Sequence, residues 1–155
     1  MLDRKPVSSW SASAAFDFVA AHEGLRLEAY LCPAGVWTIG YGQTHVNGVP
    51  VHAGMRIDEA RARQLLTQEL KHVQDQLAGL VRVKVSEGEF IALVDFTFNV
   101  GAGNLGHSTL LKKLNAAEYM TAAYELRKWV FAGGTKLDGL VRRREDELAK
   151  WKEGY

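Results

Sequence analysis

The stretch Ala21–His45, AHEGLRLEAYLCPAGVWTIGYGQTH, passes from one periodicity to another. Before it, Phe16, Val19 and Ala20 recur at helical spacing, which predicts a short helix over about Ser13–His22. Gly24 follows in the place a helix C-cap favours. From Gly35 to about Val51 the pattern becomes Val36, Trp37, Ile39, Tyr41, Val46, Val49 and Val51, broken by Gly35, Gly40, Gly42 and Gly48. β-Favouring residues interrupted by glycine predict short twisted hairpins rather than a helix. Glycines within such strands also let another backbone or a ligand approach closely.

Outward from this stretch the pattern turns helical again. Asp58 reads as an N-cap with Glu59 in the first turn. Leu65, Leu66, Leu70, Val73, Leu77 and Leu80 then mark a long amphipathic helix. Everything after it is expected to be helical. Ser86 with Glu89 forms a capping box before the apolar run Phe90–Phe98, and Asn115 with Glu118 repeats the signal before Tyr119–Trp129. Asp138 is expected to cap a last helix through VRRREDELAKW. A helix, a small β region, a long helix and a helical remainder make an α+β protein with its sheet segregated to one end.

Hydrophobic residues make up 47% and charged residues 24% of the 155, an ordinary globular balance. A net charge of +1 gives no polyanion-binding surface, so nucleic acid is not an expected partner. The single cysteine, Cys32, excludes an internal disulfide. No apolar run approaches the ~18 residues of a membrane helix, so no stable membrane insertion is expected. The first residues, MLDRKPVSSWSASAAFDFV, are interrupted by serines and Asp17 and do not read as a cleaved signal peptide. The expectation is a protein made and folded in the cytoplasm.

Few residues point to chemistry individually. Glu23 lies where a helix gives way to the β region, a place where a carboxyl can face a cleft between two lobes. Partial burial there would favour the protonated form that a general acid needs. Cys32 lies in LCPAG, a turn-forming segment expected at the surface, although a lone cysteine also packs well as a small hydrophobe. Thr38 alone is an ordinary strand residue. The histidines, at 22, 45, 52, 72 and 107, form no HExxH or Cys/His cluster, so neither a metal nor another cofactor is expected. A Cys–His hydrolase built on Cys32 and His45 lacks a supporting signature. FNVGAG follows a helical pattern instead of a strand, which disfavours a phosphate-binding loop.

Taken together, Glu23, Cys32 and Thr38 resemble the catalytic segment of the phage-type lysozymes, the endolysins with which bacteriophages open host cell walls. That family's pattern is Glu, eight residues, Asp or less often Cys, five residues, then Thr, and it falls on these three positions without a gap. The likeness continues through FNVGAGNLGHSTLLKKLN (Phe98–Asn115) and GLVRRREDE (Gly139–Glu147), and so covers about Phe16–Trp151.

The resemblance implies a two-lobe lysozyme-like fold in one catalytic domain: residues 13–57 as the N-terminal helix and β lobe, 58–80 as the connecting helix, 81–155 as the helical lobe. It implies a muramidase, cleaving the β-1,4 bond between N-acetylmuramic acid and N-acetylglucosamine in peptidoglycan. Glu23 would protonate the leaving oxygen, Cys32 would occupy the usual Asp position, and Thr38 would position water or the intermediate. Asn99 and Trp129 would bind the glycan, and one of Arg142, Arg143 and Arg144 would pair with Glu23. It further implies a monomer that leaves the host cytoplasm through a membrane permeabilised by a holin and acts in the periplasm or cell wall.

Two departures from the family stand out. A glycosidase ordinarily works with two carboxylates, and here the second is replaced by a thiol. Gln43 also stands where many relatives have His, a position read as structural. The missing Asp leaves two alternatives open. One is a lytic transglycosylase, in which a lone Glu gives 1,6-anhydro products; the other is a non-catalytic peptidoglycan-binding protein.

Overall fold

The computed structural model describes residues 1–155. After a 3-10 turn over Ala12–Ala15, α1 spans Phe16–Glu23, so the regular helix begins later than its apolar spacing suggested. Gly24 closes it with φ of +71°, its N–H reaching Ala20 O at 3.0 Å. β1 (Arg26–Leu31) then pairs antiparallel with β2 (Trp37–Gly40), with Tyr30 opposite Thr38 and Leu31 opposite Trp37. The β1 strand was not foreseen. Leu25, Leu27, Ala29 and Leu31 do alternate with Arg26, Glu28 and Tyr30, but the strand is short and mostly exposed, so the alternation marks no buried face. A second hairpin joins β3 (His45–Val46) to β4 (Val49–Pro50).

Asp58 caps α2 (Glu59–Leu80), accepting from Arg61 N at 2.7 Å, and α2 buries Leu65, Leu66, Leu70, Val73 and Leu77 on one face. The central helix α3 (Glu87–Val100) is covered on nearly all sides: every residue from Gly88 to Thr97 is buried. The expected Ser86–Glu89 capping box is present, with Glu89 N donating to Ser86 Oγ at 3.1 Å and Ser86 N donating to Glu89 Oε1 at 2.7 Å. Around α3 lie α4 (Ala102–Gly106), α5 (Thr109–Asn115), α6 (Tyr119–Glu125) and α7 (Asp138–Trp151). Their apolar faces join α1 and α2 in a cluster of 27 buried residues. Burying each large side chain of that cluster contributes about 1.5 to 3 kcal/mol.

Three expectations for this region are corrected. The chain after α2 is not all helical, because β5 (Phe131–Ala132) and β6 (Thr135–Lys136) form a hairpin around Gly133 and Gly134. Asn115 does not cap α6, whose N-cap is Glu118 without a side-chain bond. Its amide is engaged elsewhere: Nδ2 donates to Leu80 O (3.0 Å) and Oδ1 accepts from Arg82 N (2.8 Å), securing the end of α2. Asp138 lies inside the first turn of α7, and Leu137 is the N-cap. The segment before α1 is held down by Lys5, whose N–H donates to Val85 O at 2.9 Å, and by Trp10 Nε1, which donates to the same oxygen at 2.9 Å.

Candidate active site

Glu23 is the last residue of α1, and its side chain is 18% exposed. Of the three candidate arginines, Arg143 from α7 reaches it, with Nη1 donating to Oε2 at 2.5 Å. The rest of that guanidinium faces Asp95 of α3: Nε donates to Oδ2 at 2.9 Å and Nη2 to Oδ1 at 2.8 Å. One planar fork thus ties α1, α3 and α7 together and fixes the Glu23 carboxylate. The other Glu23 oxygen lies against Gly42. A Cβ placed there would come within 2.6 Å of Glu23 Oε1, and Gly42 holds φ of +90°. The close approach expected of a strand glycine is realised here by a carboxylate.

Behind this pair lies a buried ionic network that the sequence did not announce. His22 Nδ1 lies 3.3 Å from Asp95 Oδ1, and its Nε2 lies 3.0 Å from Asp146 Oδ2. The hydrogen bond to Asp95 raises the imidazole above its ordinary 6.5, against the opposing effect of burial, with Asp146 adding to the rise. Burial pushes Asp95 up, yet hydrogen bonds from Glu147, His22 and Arg143 outweigh it and hold Asp95 well below the carboxylate range. Glu147 moves the opposite way, raised well above its ordinary value by burial and then by its hydrogen bond with Asp95. Arg144 opposes that rise from a buried ion pair, with Nε 2.7 Å from Glu147 Oε1 and Nη2 donating to Oε2 at 3.0 Å. The available signal was Asp95 itself, a lone acid within the apolar run FIALVDFTF, which requires a partner once buried.

Cys32 and Thr38 are brought together at the far end of the first hairpin. Cys32 N donates to Val36 O at 3.0 Å, and Gly35 N donates to Cys32 O at 2.8 Å, closing the turn. The thiol is only partly buried, as a surface turn requires. The backbone N–H of Val36 lowers it below its ordinary value, with Ala34, the Thr38 hydroxyl and Gly35 adding to the effect against desolvation. Thr38 is 5% exposed, and its hydroxyl donates to Val36 O at 3.0 Å. β2 connects this end to Gly42 and Glu23.

Asn99 and Trp129 also meet. Both line a surface cavity of about 320 Å³ with Phe131 and Arg144. Asn99 Oδ1 accepts from Arg144 Nη2 at 2.8 Å, and Arg144 Nη1 donates to Trp129 O at 3.3 Å. Trp129 stacks edge-on against Phe96, with ring centroids 5.6 Å apart. Phe131 of β5 is 61% exposed at the same place, an aromatic surface suited to a sugar ring.

Gln43 is 5% exposed and bridges two elements. Its Oε1 accepts from Tyr41 N at 2.7 Å and its Nε2 donates to Glu69 Oε2 of α2 at 2.9 Å. That fits the structural role expected of the position, and it brings a further carboxylate towards the site. No group of three or more His, Cys, Asp or Glu side chains takes up a metal-holding arrangement.

Residues 20–147 match the family described as Phage lysozyme. The chain is 37% identical over 135 residues to the endolysin of Acyrthosiphon pisum secondary endosymbiont phage 1, a match covering 84% of this chain and 90% of that protein. It is 40% identical over 145 residues to the endolysin of Bacillus phage B103, covering 92% of this chain but only 54% of that longer protein. Among solved structures, the muramidase domain of SpmX from Asticaccaulis excentricus superposes with a TM-score of 0.81 at 30% identity, covering 92% of this chain and 97% of that one.

Proposed function

Since the chain belongs to the phage lysozyme family and has its α+β fold, we propose that it is a phage endolysin that hydrolyses peptidoglycan as a muramidase, with Glu23, Cys32 and Thr38 at the reacting centre. The observation that carries this reading is the Glu23 carboxylate, fixed at one oxygen by Arg143 and set against Gly42 at the other. Glu23 is the general acid that protonates the leaving glycosidic oxygen. Arg143 stabilises the carboxylate left once the proton has gone, and Asp95 limits that pull by accepting the guanidinium's other two hydrogen bonds.

Cys32 stands where the family usually has Asp. Hydrogen-bond donors around its sulfur favour the thiolate, which supplies negative charge to an oxocarbenium-like transition state or a nucleophile for the anomeric carbon. Thr38 orients the sulfur and its water. Asn99 and Trp129 hold the glycan beside their shared cavity. We read residues 1–155 as one catalytic domain acting as a monomer on the cell wall, which it reaches from the host cytoplasm through a holin-permeabilised membrane. No helix of the chain is long and apolar enough to cross a membrane.

The test is release of new reducing ends from purified peptidoglycan, with the products weighed by mass spectrometry. Glu23→Gln should lower the rate by at least about a hundredfold. Cys32→Asp should remain active and resist thiol alkylation, whereas alkylated wild type should stall. An unchanged rate in Glu23→Gln would overturn the assignment of the acid, and full activity in Cys32→Ala would remove the thiol from the chemistry. Products ending in 1,6-anhydro rings would mark a lytic transglycosylase, and glycan binding without cleavage a non-catalytic protein.

A further inference from the structure

The reading of this chain as a glycosidase with one carboxylate leaves Glu69 unused, although α2 carries it towards the site. The turn between Ile39 and Gln43 is closed by reciprocal backbone hydrogen bonds, Ile39 N to Gln43 O and Gln43 N to Ile39 O, both 2.9 Å. Inside that loop lies the Gln43 amide, so tightly enclosed that a Cβ on Gly40 would fall 2.6 Å from its Oε1. The amide has two ends with opposite demands. Tyr41 N–H requires its oxygen (2.7 Å), and the Glu69 carboxylate, an acceptor when ionised, requires its NH₂ (2.9 Å). Glu69 and Tyr41 N–H therefore hold the amide in one orientation from its two ends, and the amide shapes the turn whose Gly42 backs onto Glu23 Oε1.

We propose that Glu69 is a positioning residue for the reaction at Glu23, acting through Gln43 and the Gly40–Gly42 turn. This rests on Glu23 being the acid. The charged and titratable groups that face Glu69 are Glu23 of α1, whose charge opposes its ionisation, and His72 on its own helix, which favours it. Burial, and after it Glu23, raise the Glu69 carboxyl, with Gln43 and His72 opposing, so the clamp loosens as pH falls. One of the two partners that orient Gln43 is then a carboxyl that can also donate.

The experiment compares wild type, Glu69→Leu, Gln43→Glu, the exchange Gln43→Glu/Glu69→Gln, and Glu23→Gln. Reducing-end kinetics on purified peptidoglycan are followed across pH, at a temperature where circular dichroism shows each protein folded. Glu69→Leu should lower kcat about tenfold or more with KM within about twofold, since a small displacement of a reacting group is costly in rate. Gln43→Glu sets two carboxylates against each other and should do the same. The exchange restores an acceptor for Tyr41 N–H and a donor–acceptor pair beyond it, and should recover kcat to within about threefold. It should also alter the acid limb of the profile. A merely structural pair would change thermal midpoints and leave kcat and the pH profile of the folded variants at wild-type values. That result overturns the proposal, as does an exchange variant no better than Gln43→Glu. If Glu69→Leu does not fold, the exchange pair decides alone. Unchanged activity in Glu23→Gln would instead remove the underlying reading.

Discussion

At the scale of single residues, one glycine shows how little chemistry there needs to be in a residue that a site depends on. Gly42 contributes no functional group. It contributes the absence of a Cβ where Glu23 Oε1 lies, together with a φ of +90° that other residues adopt at a cost. The Glu23 side chain cannot simply swing aside, because Arg143 holds its other oxygen. Gly42→Ala should therefore cost roughly 1 to 2 kcal/mol of stability and displace either the acid or the turn. Thermal unfolding should register the first effect, and reducing-end kinetics a larger loss of rate. A variant of wild-type activity would show that the carboxylate has room the present geometry denies it. Glu23, Cys32 and Thr38 stood out as a set only through the spacing of the family they resemble. The sequence left open which of three adjacent arginines reaches Glu23, since Arg142, Arg143 and Arg144 differ only in the direction they leave α7.

At the scale of elements, local signals served well wherever the stabilising partner lies within a few residues. Ser86 and Glu89 satisfy each other's backbone across one helical turn, and Asp58 satisfies Arg61 N in the same manner. Such caps form wherever the local chain is helical. Ser86→Ala should cost about 1 kcal/mol and lower the thermal midpoint by about 2 to 4 °C. No change would mean that Arg4, which donates to both Glu89 oxygens at 3.0 Å, holds this end without the cap. Asn115 has the same local signature but a different role, because Leu80 and Arg82 offer better partners from another part of the chain. The β5–β6 hairpin escaped notice for a related reason. Its strands are short and exposed, without an apolar alternation to reveal them.

At the scale of the whole molecule, the network between α1, α3 and α7 links folding to pH in two directions. Asp95 is depressed, so its contribution is present above its ordinary value of 3.8 and is lost as pH falls through its folded value. His22 is raised above 6.5, so its contribution is complete below that value and is lost as pH rises through the folded one. Glu147, a raised acid, acts in the same sense as His22, losing stabilisation as pH climbs above 4.5 towards its folded value. Stability should therefore be greatest in mildly acidic solution and decline towards alkaline pH. Glu147→Gln, which cannot ionise, should flatten part of that decline in a series of thermal midpoints. A wild-type midpoint that rises from mildly acidic to alkaline pH would contradict the upward shifts of Glu147 and His22.

The sequence by itself determined the order of the main elements, the caps Asp58 and Ser86, the amphipathic face of α2, and the Glu–Cys–Thr spacing of the resemblance. Each depends on residues close along the chain, where backbone geometry fixes who meets whom. Only the tertiary structure decided that Arg143 holds Glu23, that Asp95 and Glu147 stand behind it with opposite shifts, and that Glu69 reaches Gln43 beside the turn. Those contacts join α1, β2, α2, α3 and α7 across the core, where the direction of a side chain is set by packing and by the need of each buried charge for a partner.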